Sequence, residues 1–318
     1  MSPFSLSRRE VISAGSVAAA AFAVNRSLPA WAQAPRALAP ITKPIPSTGE
    51  RLPVIGLGTN AYSANSAEQM APLSEVLEHM PKVGGTLIDT ARVYGRSEAV
   101  IGELLEALGN RAQMFIATKT PMFGDFSNPQ AVLDVSFNAL RVKTIDLIQI
   151  HMMAGLTQLM PVFESNKAAK RVRYIGISTS EDSQYDAIMA AMRQYPLDFI
   201  QVDYSLGNRA AADKVLPAAL AKRVGVLINT PFGGRRDGNL FSRVGGRDLP
   251  ESAEQLEVSS WGQLFLKYVV SHPAVTAAIP GMTRVSHLEE NLAALRGRMP
   301  DAAMRARIEK YWDQNFDG

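Results

Sequence analysis

The chain has 318 residues, a formal net charge of +3 and no cysteine. Hydrophobic residues at 47% and charged residues at 20% give an ordinary globular balance with enough apolar material for a large core, which argues against a disordered, collagenous or membrane-embedded chain. Without cysteine there are no disulfides, thiolate metal sites or thiol catalysis, and the basic residues are too scattered for a nucleic-acid footprint.

The N-terminus reads as an address. Ser7-Arg8-Arg9-Glu10 precedes a mild Ala-rich run from Ala14 to Val24, followed by Arg26, Pro29 and Ala30-Trp31-Ala32. A charged start, a short apolar run and a small-x-small site make a secretory signal, and the paired arginines resemble a twin-arginine signal. Residues 1–32 are therefore expected to be removed after export of a folded passenger to the periplasm, with the twin-arginine machinery as a partner. The apolar run falls short of the about 20 residues that span a bilayer, so no membrane insertion is expected after cleavage.

A linker at 33–40 carries Pro35 and Pro40, and Ser47-Thr48-Gly49-Glu50 reads as the turn of a short β-hairpin. Apolar strands then alternate with helical patterns: Val54–Thr59, Thr86–Asp89, Met114–Lys119, Asp146–His151, Tyr174–Ser178, Phe199–Asp203, Val226–Asn229 and Thr276–Ile279. Ile101, Leu105 and Leu108 make one helix face, and Leu264, Tyr268 and Val269 contribute to another. Strands apolar on both faces and separated by helices belong in a helix-covered parallel sheet, and eight such units predict a closed (β/α)₈ TIM barrel over residues 41–300. A C-terminal helix or tail occupies 301–318. An open doubly wound sheet is the alternative, but no G-x-G-x-x-G follows the first strand. The long Gly- and Arg-rich stretch from Pro231 to Ser259 is a functional or mobile loop, or a plain surface excursion.

Polar residues recur where the strands end: Asp89, Lys119, His151, Ser178 and Asp203. In a barrel those ends form the active face. A buried Lys and Asp are costly unless they pair, so Asp89 and Lys119 are expected to face each other. Taken singly, each residue fits an ordinary ion pair or a core histidine. Their convergence beside Tyr94 points to chemistry. The other histidines, His79, His272 and His287, lack ligand spacing, so no metal site is expected.

These segments resemble the aldo-keto reductase superfamily: Gly56-Leu57-Gly58-Thr59, Asp89-Thr90-Ala91-Arg92-Val93-Tyr94-Gly95, Ala117-Thr118-Lys119, Ile145 to His151, Tyr174-Ile175-Gly176-Ile177-Ser178, Ile279-Pro280-Gly281 and Glu290-Asn291. They stand in family order over roughly residues 40–295. The resemblance implies NAD(P)H-dependent reduction of a carbonyl (an aldehyde, ketone or sugar) to an alcohol, with Asp89, Tyr94, Lys119 and His151 catalytic. Tyr94 gives the proton, the Lys119 ammonium favours the phenolate, Asp89 pairs with Lys119, and His151 positions the carbonyl or assists the proton. It also implies that Ser178 and Gln201 hold the nicotinamide carboxamide and that Gly58 and Thr59 line the pyrophosphate. Gly281, Thr283, Arg284 and His287 would open a phosphate-binding helix, with Glu290 and Asn291 at the adenine. Arg284 or His287 against a 2′-phosphate favours NADP, with NAD possible. Tyr62, Met122, Phe123 and Met152 follow strand ends and are the candidate apolar substrate wall, with simple packing under loops as the alternative.

Two positions depart from the family pattern. Asn229 stands where the family often has an aromatic ring that stacks on the nicotinamide, with Phe232 or Tyr204 as candidate replacements, and Thr179 stands where it often has Asn. The rival readings are a non-catalytic NADP-binding redox-sensing module, which the four retained catalytic residue types argue against, and a barrel hydrolase or isomerase, which lacks the metal site or paired carboxylates it would need.

Overall fold

The computed structural model describes residues 38–234 and 238–316. The signal reading of 1–32, and Arg235 and Arg236 of the long loop, lie outside the described residues. Strands β1 (Thr42–Pro44) and β2 (Arg51–Pro53) pair antiparallel. The amides of Thr48 and Gly49 both donate to the Ile45 carbonyl and make the expected turn.

Eight parallel strands follow, each hydrogen-bonded to its neighbour in sequence: β3 (Leu57–Gly58), β4 (Leu87–Asp89), β5 (Phe115–Lys119), β6 (Ile145–His151), β7 (Val172–Ser178), β8 (Phe199–Val202), β9 (Gly225–Ile228) and β10 (Ala277–Ala278). Bridges from Ile55 to Ala278 and from Gly58 to Gly281 bring the first strand against the last. The fold is the (β/α)₈ barrel, with the short hairpin ahead of it. Both seam strands are shorter than their apolar runs predict, because pairing there is confined to these bridges. Gly58 is required at the seam: a Cβ there would lie 2.6 Å from the Ile279 carbonyl oxygen.

The helices are α1 (Ala67–His79), α2 (Ser97–Leu108), α3 (Pro129–Ala139), α4 (Leu156–Ala168), α5 (Tyr185–Gln194), α6 (Ala210–Asp213), α7 (Val215–Lys222), α8 (Leu240–Val244), α9 (Ser252–Gln255), α10 (Trp261–Ser271), α11 (Val285–Ala293) and α12 (Ala302–Phe316). None among the described residues is long and apolar enough to cross a membrane. Strand side chains alternate in direction, and the buried clusters separate accordingly. Ile88, Ile116, Ile148, Ile150, Ile175, Ile177, Ile200, Val226 and Ile228 meet the helices. Leu87, Phe115, Ala117, Leu147, Tyr174, Phe199, Leu227 and Ala277 fill the barrel interior, joined by Ile45 and Leu52 from the hairpin. Continuing this inward face by period two toward the strands' C-terminal ends reaches Asp89, Lys119, Gln149, His151, Ser178, Gln201 and Asn229. The same alternation that fills the barrel with apolar side chains therefore sets a polar layer on top of them.

The stretch from 231 to 259 contains α8 and α9 rather than being irregular throughout. Arg243 donates to the carbonyl of Phe316 and Arg247 to that of Asn315, which ties this stretch to the end of α12. Phe265, Trp312, Phe316 and Trp261 pack ring against ring behind it. Residues 302–316 are thus a docked helix.

Gly58→Ala forces a side chain into the seam and should lower unfolding stability by about 1–3 kcal/mol, the usual cost of overpacking. A denaturant midpoint equal to wild type would show that the seam tolerates a Cβ.

Candidate active site

The four catalytic candidates converge at the C-terminal rim. Lys119 Nζ lies 2.6 Å from Asp89 Oδ2 and donates to the Thr90 carbonyl at 2.9 Å, with both charged side chains almost fully buried. Burial opposes the Lys119 charge, but the Asp89 carboxylate and the Tyr94 oxygen outweigh it and hold the ammonium above its ordinary range. Burial pushes Asp89 up, against the pull of Lys119 and of the Gln201 side chain. Nζ also sits 5.4 Å from the centroid of the Tyr94 ring. The His151 ring meets the Tyr94 ring edge-on, with centroids 6.4 Å apart.

Tyr94 lies on a loop that its neighbours hold in place. The amide of Arg92 donates to Lys119 O, the Tyr94 carbonyl accepts from the Ser97 amide at the start of α2, and Gly95 takes the left-handed φ of 61° that the turn needs. Arg92 is paired with the buried Glu98, which accepts from Thr118 Oγ1 at 2.6 Å. The phenol is therefore fixed to the strand that carries Lys119.

Burial, and then the nearby Lys119 charge, lower the His151 pKa to about 3. Its Nδ1 is buried without a partner among the described residues. A neutral imidazole orients a carbonyl by hydrogen bonding. Held neutral, His151 suits positioning by a hydrogen bond, one of the two roles expected for it. A further inward residue, Gln149, was not singled out from the sequence. Its Nε2 donates to Gln201 Oε1 at 2.8 Å. Period-two counting back from His151 was the signal that finds it.

A cleft of about 220 Å³ opens beside this group, lined by Gly58, Thr59, Asn60, Asp89, Tyr94, Asn229, Thr230, Pro231, Phe232, Gly233, Ile279, Pro280 and Gly281. Its glycine-rich wall lets a ligand approach backbone closely. α11 follows, with Arg284 exposed at its N-cap and no side chain capping its first amides. A helix start of that kind suits a phosphate. The residues present thus fit a dinucleotide, with Thr283 half-buried and His287 and Glu290 exposed along the α11 end, while Asn291 lies on the buried face of α11.

The other expected residues lie as follows. Ser178 is buried, with its hydroxyl 3.5 Å from the Ile150 carbonyl. Gln201 is buried, and its Oε1 accepts from Gln149 Nε2 at 2.8 Å. Tyr204 is buried against Tyr268 and bonded to its hydroxyl, so it does not replace the missing stacking ring. Phe232 lines the cleft and packs on Phe241. Asp203 is held by Tyr185 and Asn208, away from the ion pair. Of the substrate candidates, Tyr62 has no exposed surface and donates to the Met282 carbonyl, which puts it in the core rather than on an open wall. Phe123 is 80% exposed. Met122 and Met152 are half-buried. The sulfur of Met152 faces the hydroxyls of Thr179 and Ser180.

A phenol, a buried ammonium and a neutral imidazole gathered at the C-terminal rim of a (β/α)₈ barrel define a barrel oxidoreductase. Residues 54–313 match the Aldo/keto reductase family, and the chain belongs to that family of oxidoreductases. It is 26% identical over 305 residues to the aldo-keto reductase yakc [NADP(+)] of Schizosaccharomyces pombe, covering 80% of this chain and 87% of that protein. It is 26% identical over 324 residues to norsolorinic acid reductase B of Aspergillus parasiticus, covering 85% and 84%. Among solved structures, an aldo/keto reductase of Klebsiella pneumoniae in complex with NADP and acetate superimposes with a TM-score of 0.70 at 24% identity, over 83% of this chain and 93% of that one.

With His151 neutral above about pH 4, no ionisation of this group is expected in kcat/KM between about pH 5 and 8. The pH–rate profile checks this. A limb near the ordinary imidazole value that disappears in His151→Gln would contradict it.

Proposed function

We propose that the protein reduces a carbonyl compound (an aldehyde, ketone or sugar) to an alcohol with NADPH. The observation that carries this reading is the buried Lys119–Asp89 pair set against Tyr94. When bound, reduced nicotinamide supplies the hydride that adds to the carbonyl carbon. Tyr94 gives its phenolic proton to the carbonyl oxygen as charge builds there. The Lys119 ammonium stabilises the phenolate left behind, and Asp89 keeps that ammonium charged and in place. His151, neutral, donates a hydrogen bond that holds the carbonyl toward Tyr94. Tyr94 then regains a proton from solvent. Gly58 and Gly281 line the run of the dinucleotide, and the α11 start with Arg284 or His287 takes the 2′-phosphate, with NAD as the weaker alternative.

Tyr94→Phe removes the proton and keeps the ring. It should lower NADPH-dependent aldehyde reduction by about 10²–10⁴-fold, the usual worth of a positioned general acid, with the NADPH dissociation constant within about two-fold of wild type. Wild-type turnover in this variant would overturn the assignment. Wild-type protein that binds NADPH tightly and turns over no carbonyl would favour the redox-sensing module instead.

We further propose export in the folded state by the twin-arginine route to the periplasm, with cleavage after Ala32. Support comes from Arg8-Arg9, the mild apolar run and Ala30-Trp31-Ala32. Changing Arg8 and Arg9 together to Lys should leave the full-length chain in the cytoplasmic fraction of a Gram-negative host. Unchanged periplasmic recovery would refute the route.

A further inference from the structure

The two departures from the family pattern, Asn229 and Thr179, touch each other. Asn229 Nδ2 donates to the Thr179 backbone carbonyl at 3.0 Å. The Thr179 hydroxyl is turned into the protein, donating to Gln184 Oε1 at 2.6 Å and accepting from the Glu181 amide at 3.0 Å. No side-chain amide is presented from position 179. Gln201 Oε1 accepts from Gln149 Nε2 at 2.8 Å.

Asn229 supplies the side-chain amide that position 179 lacks. It follows β9 on the inward face, two residues beyond Leu227, and lines the same cleft as Asp89 and Tyr94. A carbonyl oxygen only accepts hydrogen bonds, so Thr179 O fixes which end of the Asn229 amide faces it. That leaves Oδ1 as the acceptor, with Thr230 Oγ1 at 3.5 Å as its only close protein donor among the described residues. A ring that delivers hydride to a carbonyl at Tyr94 has to lie in this cleft, whose wall includes Asn229. The other amide on the cleft wall, Asn60, stands beside Gly281, where its Oδ1 is 3.5 Å from an ideal Cβ.

We infer that Asn229 is a cofactor-positioning residue whose Oδ1 accepts a hydrogen bond from the amide NH₂ of the nicotinamide carboxamide, so that this chain holds the ring by an amide clamp from β9 where its relatives often stack an aromatic side chain. The inference rests on the NADPH reading above. It makes Thr179 and Asn229 one coupled change: the amide is absent at the first position and present at the second, and the backbone of the first orients the side chain of the second.

The test is ligand binding, measured by calorimetry without turnover. Three probes separate the contributions: NADP⁺, its 3-acetylpyridine analogue, in which a methyl group replaces the carboxamide NH₂, and 2′-phospho-ADP-ribose, which has no nicotinamide. Wild type should bind NADP⁺ about 5–10-fold more tightly than the analogue, the worth of one net hydrogen bond. Asn229→Leu, close in size but without the amide, should weaken NADP⁺ by that factor, leave the analogue within two-fold and leave 2′-phospho-ADP-ribose unchanged. Retained binding of 2′-phospho-ADP-ribose shows that the variant is folded. If Leu disturbs folding, Asn229→Ala removes the same group without bulk and should give the same pattern. Equal weakening of NADP⁺ and the analogue would overturn the clamp, and so would no weakening of either. Failure of all three nucleotides to bind wild type would instead overturn the cofactor reading.

Discussion

The ion pair between Lys119 and Asp89 governs the rest of the site. Two opposite charges 2.6 Å apart lie inside a barrel whose lower layers are packed with Leu87, Phe115, Ala117, Leu147 and Phe199. Removing either partner would leave a buried charge uncompensated, at a cost of about 3–5 kcal/mol. The pair is tolerable because the Thr90 carbonyl takes a second bond from Nζ and Gln201 lies against the carboxylate. The same low-polarity surroundings make the ammonium effective toward Tyr94, since water does not screen it. They also explain why His151 is neutral: burial disfavours an imidazolium, and the Lys119 ammonium nearby repels it.

The polar layer continues around the rim through Gln149 and Gln201 and ends near Asn229, whose amide is set by Thr179. The wall opposite Tyr94 is built differently. Phe232 lines the cleft and packs on Phe241, which reaches Phe265, and Phe265 meets Trp312 of α12. One wall of the cleft thus rests on the C-terminal helix by ring packing, while the catalytic wall rests on the barrel by hydrogen bonds and charge.

Much of this was legible in the sequence. The alternation of apolar strands with helical stretches located all eight barrel strands, and polar residues closing apolar runs marked Asp89, Lys119 and His151. The seam strands were overestimated because a strand's apolar run says nothing about how many ladder bonds its partner offers. For Tyr62 the sequence left wall and packing open, since proximity to a strand end does not say which way a side chain turns, and the hydroxyl bond to the Met282 carbonyl far along the chain decides for packing. Gln149 was passed over among apolar neighbours, although period two places it on the inward face below His151.

The sequence by itself determined which residues share a strand face, because strand periodicity is local and survives without knowledge of neighbours. It also determined the residue types available at the rim, including the unusual Asn229 and Thr179. Only the tertiary structure decided who meets whom. That Lys119 reaches Asp89 thirty positions away, that Gln201 is committed to Gln149, and that Asn229 is oriented by the Thr179 backbone fifty positions away are consequences of barrel closure. Contacts of that range are set by the register of neighbouring strands and by the space inside the barrel, and neither quantity is written in any single segment.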